Sequence, residues 1–401
     1  MRARIVLVAA SLIAGGVVAA PATALLPSVC NVAAAPVDTR AMVAYDASPA
    51  ALRAVRAAGG RVVGGIERLD VLQVAFPSRV ARDAALPVVR RAPGVRYAEA
   101  ERVFSVHRNP NDTFWRYQWG LFKIGAMKAW NKETGGKTPV TVAVLDTGVD
   151  LKHPDLAGRV IAGDDIVAND PDPSDDHGHG THVAGIVAAK TNNRVGVAGM
   201  SWGAKVLAVK VLAANGEGSD CDIALGMVGA ADAGARVLNM SLGSTGTRCG
   251  LVTQAAIDYA RDAGSLPVVS AGNSGSAKDG NPVTTPANCD GVLTVGATDP
   301  ADKIAKFSTH HPYVDVSAPG VGILSTGYQA MTGRHTYVAM SGTSMAAPYV
   351  AGLAALLMSR NPTWTPDQVM DRIVKTSDDR GTRGKDDYFG AGRVNAARAI
   401  G

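Results

Sequence analysis

Five largely apolar runs of strand length, interspersed with segments of helical length, constrain this chain more than any other feature. VTVAVLDTG, AKVLAVKVL, ARVLNMSLG, LPVVSAGN and GVLTVGATD lack the alternation of a strand with one wet face, so they read as strands buried on both faces. THVAGIVAAK, DIALGMVGAADAGA, LVTQAAIDYARDAG and MAAPYVAGLAALLMSR between and after them read as helices. Strands alternating with helices of about 10–15 residues build βαβ units, hence an α/β fold with a mostly parallel sheet flanked by helices over residues 111–401. In such sheets ligands gather beyond the carboxyl ends of the strands. Asp146, Ser241 and Asn273 all stand at such ends.

Residues 40–106 follow a different order. AMVAYDA suggests a strand, and PAALRAVRAAGG a helix that opens at Pro49 and stops at Gly59-Gly60. RVVGGIERLDVLQVAFP supplies two strands around a turn, and SRVARDAALPVVRRAPGV a second helix with Pro87 as a candidate interruption. VRYAEAERVFSV completes a β-α-β-β-α-β, ferredoxin-like α+β unit. The polar stretch HRNPNDTFWRYQ reads as an exposed linker.

Charge is divided along the same line. Residues 1–110 hold 14 Arg or Lys against 7 Asp or Glu (net +7), and residues 111–401 hold 26 against 28 (net −2). The overall +5 therefore predicts no basic groove on the main body, which argues against nucleic-acid binding. Apolar residues at 47% and charged residues at 19% exclude a disordered chain.

The first residues read as an address. Arg2 and Arg4 precede an apolar stretch from Ile5 to Ala20, and Ala22-Thr23-Ala24 offers a small-residue cleavage site. That is the layout of a secretory signal peptide ending at 24, with 35 as the alternative end after Ala33-Ala34-Ala35. No later stretch reaches 18 unbroken apolar residues, so a secreted, extracellular protein without a stable membrane anchor is expected. Export permits disulfides. Cys30 lies in or beside the removed segment, which leaves Cys221, Cys249 and Cys289 for one bond and one free thiol. Cys249 with Cys289 is the favoured pair, since both sit on loops, beside Ser241-Leu242-Gly243 and Thr284-Thr285-Pro286-Ala287 respectively.

Three short motifs carry the chemistry. Asp146-Thr147-Gly148 ends the first strand, His179-Gly180-Thr181-His182 opens a helix, and Gly342-Thr343-Ser344-Met345-Ala346-Ala347-Pro348 opens another. A serine hydroxyl becomes a nucleophile when a base takes its proton, and the base needs a carboxylate to fix its tautomer. A serine at a helix start also turns its own N–H toward developing negative charge. The ester-hydrolase elbow Gly-x-Ser-x-Gly is absent, because Gly342-Thr343-Ser344-Met345-Ala346 lacks the second glycine.

With Ser270-Ala271-Gly272-Asn273, these motifs make residues 115–401 resemble a secreted subtilisin-type serine protease of the thermitase-like branch. The separations, 33 residues from Asp146 to His179 and 165 from His179 to Ser344, follow the subtilisin order. The resemblance implies a serine endopeptidase with Asp146 as the acid, His179 as the base, Ser344 as the nucleophile and Asn273 as an oxyanion donor. It selects His179, the histidine directly before Gly-Thr-His, leaving His182 as a packed structural residue and His177 as a loop residue.

The same resemblance assigns the substrate strand to Ser241, Leu242 and Gly243 and the pocket wall to Ser270, Ala271 and Gly272. The pocket floor would come from Thr284-Thr285-Pro286-Ala287, which carries no acid, so a strictly basic-residue cutter is not suggested, although Asp279 lies near in sequence. Lys190-Thr191-Asn192-Asn193-Arg194-Val195-Gly196-Val197 resembles the family's calcium loop. It implies a structural Ca2+ held by Asn193 and the carbonyls of Lys190, Val195 and Val197, completed by Asp155 and Asp112. Residues 36–108 resemble an inhibitor-type propeptide that assists folding, blocks the cleft and is released by self-cleavage between Ser105 and Asn111, ahead of the peptidase domain at 111–401. Protein or peptide substrates and a monomeric enzyme complete the expectation.

Overall fold

The computed structural model describes residues 30, 35–46, 49–102, 109–246, 248–276, 278 and 280–401. The expected leader at 1–24, residues 103–108 of the expected cleavage region and Asp279 lie outside them. The chain divides into two units, Met1–Ser105 and Val106–Gly401.

In the first unit β1 (Arg40–Tyr45), α1 (Pro49–Ala57), β2 (Arg61–Ile66), β3 (Val71–Ala75), α2 (Arg79–Arg90) and β4 (Val95–Ala100) follow the expected β-α-β-β-α-β order. The strands pair antiparallel in the order β2-β3-β1-β4. Val43, Val55, Leu72, Val74 and Val89 close a small core between sheet and helices. Pro87 does not interrupt α2. It stands on the exposed face, opposite the buried Ala85, Leu86 and Val89, so the carbonyl that loses its helical donor can turn to water.

The second unit opens with α3 (Trp119–Lys123) and α4 (Ala126–Trp130). β5 (Thr141–Asp146), β6 (Val160–Asp165), α5 (His179–Ala188), β7 (Lys205–Lys210), α6 (Asp220–Asp232) and β8 (Val237–Met240) follow. Next come β9 (Ser244–Thr245), α7 (Leu251–Asp262), β10 (Leu266–Ser270), β11 (Thr284–Thr285), β12 (Leu293–Thr298) and β13 (Val316–Pro319). A hairpin of β14 (Ile323–Gln329) and β15 (Arg334–Met340) leads into α8 (Thr343–Arg360), α9 (Pro366–Thr376) and α10 (Ala396–Ile400).

Seven strands form one parallel sheet in the order β13-β12-β10-β8-β5-β7-β6. The five central ones are those the apolar runs predict. β5 shows why its sequence is apolar throughout: Val142 and Val144 enter a core shared with α5 and α8, whereas Ala143 and Leu145 enter a second core with α6 and α7. The period of two then turns Asp146 toward the α5 and α8 face. α8 runs through that first core with nearly every residue buried, yet no helix among the described residues is long and apolar enough to cross a membrane.

Candidate active site

Asp146 is fully buried at the end of β5. Its Oδ1 accepts the Thr147 N–H at 2.8 Å and meets His179 Nδ1 at 2.7 Å. An ionised carboxylate only accepts, so Nδ1 carries the proton and Nε2 is left as the basic nitrogen. His179 is the first residue of α5, and Gly180 behind it lets the helix start approach the strand: a Cβ there would stand 2.0 Å from the Gly148 carbonyl oxygen. Burial pushes the His179 pKa down, but the charge and hydrogen bond of Asp146, with the charge of Asp175, outweigh it, so the net shift is upward.

His182, one turn on, faces the other way. Its Nε2 donates to the carbonyls of Ile323 and Val338, both at 3.0 Å, which pins the β14–β15 hairpin onto α5. Burial above all lowers its pKa to about 4, so this ring is neutral and structural.

Ser344 is the second residue of α8, after Gly342 as N-cap. Pro348 lacks an N–H, so the Ser344 carbonyl four residues earlier has no helical donor, and the Ser241 hydroxyl takes that role at 2.8 Å. The Ser344 hydroxyl in turn donates to the Ser241 carbonyl at 3.1 Å. Asp146 and His179 are thus in contact, while the hydroxyl of the nucleophile candidate is turned toward the Ser241 carbonyl. Asn273 accepts the Thr343 N–H at 2.9 Å and hydroxyl at 3.0 Å on Oδ1, which fixes the amide with Nδ2 on its other side. A Cβ at Gly342 would sit 3.4 Å from that Nδ2 and 3.6 Å from the Ser344 backbone nitrogen, in van der Waals contact with both donors.

His179, Asn273 and Ser344 line one cleft of about 760 Å³, while Asp146 is buried and reaches it only through His179. Its walls include Ser241, Leu242, Gly243, Ser270 and Gly272, with Thr284 and Thr285 beneath. Gly272 has φ +104°, and a Cβ there would lie 2.3 Å from the Thr284 hydroxyl, so only glycine fits. Ala271 does not line the cleft: it is fully buried, with its N–H bonded to the Val295 carbonyl at 2.9 Å. His177, expected as a loop residue, does line it. The lining also includes Leu212, Asn215, Gly216, Gly218 and Ile223 after β7, which none of the chemistry-bearing motifs marks. The turn signal Asn215-Gly216 at the end of a buried strand was its visible trace.

The expected calcium ligands meet at one place. Asp112 accepts the N–H groups of Asn192 and Asn193 at 3.0 and 3.4 Å. Asp155 accepts Asn193 Nδ2 at 2.6 Å and the Val197 N–H at 2.7 Å. Burial raises both carboxyls, Asp155 to about 6, where hydrogen bonds from Val197 and Asn193 and the charge of Lys190 only partly oppose it and Asp112 adds repulsion. The carbonyls of Ala189, Arg194, Gly196 and Ala198 accept hydrogen bonds, whereas no described donor reaches those of Lys190, Val195 or Val197. Among the described residues no group of three His, Cys, Asp or Glu could hold a metal. Two buried carboxylates with free carbonyl oxygens nevertheless suit a hard, oxygen-seeking cation.

Cys249 and Cys289 are joined by a disulfide, the favoured pairing, while Cys30 and Cys221 are exposed free thiols.

A parallel sheet carrying an acid–imidazole pair and a helix-borne serine on one cleft defines an α/β serine hydrolase. Residues 137–392 match the Subtilase family. The chain is 44% identical over 320 residues, 79% of it and 76% of the relative, to the thermophilic serine proteinase of Bacillus sp. (strain AK1). It is 42% identical to thermitase of Thermoactinomyces vulgaris over 73% of this chain and 99% of that one. A solved protease from Pseudoalteromonas arctica PAMC 21717 superposes with TM-score 0.67 at 35% identity, covering 73% of this chain and 99% of that one. Fervidolysin from Fervidobacterium pennivorans, described as a keratinolytic enzyme related to subtilisin, superposes with TM-score 0.64 at 30% identity, covering 90% and 60%. The chain belongs to the subtilase family and is a subtilisin-like serine endopeptidase.

Proposed function

We propose that the chain is a secreted, self-processing endopeptidase in which Asp146 orients His179, His179 is the base, Ser344 the nucleophile and Asn273 an oxyanion donor. The carrying observation is the 2.7 Å contact between His179 Nδ1 and Asp146 Oδ1, facing the cleft that Ser344 and Asn273 also line. Rotation about the Ser344 Cα–Cβ bond exchanges the Ser241 carbonyl for His179 Nε2 as acceptor. Oγ then bonds to the peptide carbonyl carbon as its proton passes to Nε2. Asn273 Nδ2 and the Ser344 N–H receive the oxyanion. Collapse breaks the C–N bond, the imidazolium returns its proton to the leaving amine, and water repeats the sequence on the acyl-enzyme.

The extended substrate lies along Ser241, Leu242 and Gly243, beyond the last ladder pair of β8, as an added strand. Ser270 and Gly272 flank the side chain before the scissile bond. Asp112, Asp155, Asn193 and the carbonyls of Lys190, Val195 and Val197 would hold a calcium ion, which would add positive charge beside these buried carboxylates and brace the loop. Residues 1–24 direct export, residues 36–108 serve as intramolecular chaperone and inhibitor, and 111–401 act as a monomeric enzyme after cleavage between Ser105 and Asn111.

The test is expression of the full chain beside its Ser344→Ala variant, with labelling by a serine-directed inhibitor and mass spectrometry of the product. A labelled, casein-hydrolysing product beginning near residue 111, against an unlabelled and uncut variant, is expected. Unlabelled wild-type protein, or turnover of short-chain esters without casein, overturns the reading.

A further inference from the structure

Asp146 ends β5 and His179 begins α5, so their contact depends on how a strand end and a helix start are held together. One group spans both. Asp175, 4% exposed, accepts on Oδ1 the Thr147 hydroxyl at 2.8 Å and the N–H groups of His177 at 3.0 Å and Gly178 at 2.8 Å. Its Oδ2 accepts the Thr181 N–H at 2.9 Å and the Thr181 hydroxyl at 2.5 Å. The two hydroxyls extend the tie: Thr147 Oγ1 accepts the Gly180 N–H at 3.0 Å, and Thr181 Oγ1 accepts the Asp150 N–H at 2.8 Å. All five contacts are donated to the carboxylate, which suits an ionised group that only accepts. It also sits beside the first turn of α5, where the helix dipole favours an anion.

We propose that Asp175 is a positioning residue for His179: its buried carboxylate locks the Thr147 turn to the first turn of α5 and holds a fixed negative charge beside the imidazole. The inference rests on His179 being the base. An Asn at 175 would keep the shape but present an amide N–H₂ to donors that need an acceptor, and would remove the charge. Burial lowers the His179 pKa and Asp146 chiefly raises it; Asp175 adds to the rise. Other titratable groups among the described residues include His182, whose own ring feels the His179 charge, His177, with ring centroids 6.3 Å apart, and Glu217 and Asp220, which line the same cleft. Lys210 from β7 is engaged by Asp176 and the carbonyls of Thr147 and Leu212.

The experiment compares wild type, Asp175→Asn, Asp175→Glu and Thr147→Val from full-chain expression, each titrated with a serine-directed inhibitor and assayed for kcat and KM across pH. Asp175→Asn is expected to lose kcat by about 10- to 100-fold with KM within about 2-fold, the cost of a misaligned base. The acid limb of its kcat/KM profile should move to lower pH. Asp175→Glu, which retains the charge, should keep the limb in place. Thr147→Val should lower kcat without moving the limb, because it cuts one tether and leaves the charge. An Asp175→Asn enzyme with wild-type kcat overturns the proposal. So does one that loses kcat with its limb unmoved, which would reduce Asp175 to a fold-holding role. Should Asp175→Asn not fold, wild-type kcat in Thr147→Val overturns it. A wild-type enzyme without an acid limb would instead sink the assignment of His179.

Discussion

Ser241 and Ser344, 103 residues apart, hold one another through a reciprocal pair of hydrogen bonds, each hydroxyl donating to the other's carbonyl. Asn239 Nδ2, within β8, donates to the Ser241 hydroxyl oxygen at 3.0 Å. Pro348 is the local cause of one half of this pair, since it frees the carbonyl that Ser241 occupies. The Ser241 wall of the cleft and the candidate nucleophile are therefore coupled through this pair, so a change at Ser241 or Pro348 is expected to reach Ser344 through the helix start.

His179→Ala is expected to abolish casein hydrolysis and self-processing, with kcat lower by about 10⁴-fold or more, the size of loss seen when a triad member is removed from serine proteases. His182→Gln, which keeps a donor toward the hairpin carbonyls, should retain turnover. Kinetics on both purified variants decide it: near-normal turnover in His179→Ala with an inactive His182→Gln would reverse the assignment.

The pH dependence follows from opposite shifts of the two histidines. The His179 pKa is raised above 6.5, so the neutral base, and with it kcat/KM, should emerge only as pH climbs past a limb displaced above 6.5. Its contribution to stability has the same sign: present below 6.5 and lost as pH rises through the raised value. His182, lowered from 6.5 to about 4, contributes stability that is present above 6.5 and lost as pH falls toward 4. That contribution is on the order of 3 kcal/mol, and His182→Gln should flatten the unfolding midpoint over this window. An acid limb below 6.5, or an unchanged stability slope in the variant, would contradict the respective shift.

Asn273→Ala should lower kcat by about 10²–10³-fold while leaving KM nearly unchanged, because an oxyanion donor acts in the transition state. A large rise in KM at constant kcat would instead make Asn273 a ground-state binding group.

Removing calcium should lower the melting temperature. At free calcium about 100-fold above its Kd, the ion would contribute about 2.7 kcal/mol, roughly 4 °C for a domain of this size. Calorimetry with and without chelator measures it, and Asp155→Asn should abolish most of the difference. Indifference of the wild-type protein to chelator removes the calcium assignment.

The sequence by itself determined the central sheet, the small α+β unit and the chemistry-bearing motifs. β5, β7, β8, β10 and β12 were legible because a strand covered by helices on both faces has to be apolar throughout, and helix starts such as His179 and Ser344 carry their signal within a few residues. The edge strands β6 and β13 were not, since VIAGDD and VSAP answer to neighbours on one side only and tolerate acids and proline. The hairpin of β14 and β15, half exposed and polar, also lacked a pattern of its own, and α9 went unread although Thr365-Pro366 with Gln368 forms a capping box. Only the folded chain settles that Asp175 ties Thr147 to α5, that the Ser241 hydroxyl donates to the carbonyl Pro348 frees, that Ala271 turns inward and that the loop after β7 lines the cleft. Those are contacts between residues distant along the chain, and their geometry depends on how two backbones pack, a quantity no short stretch of sequence encodes.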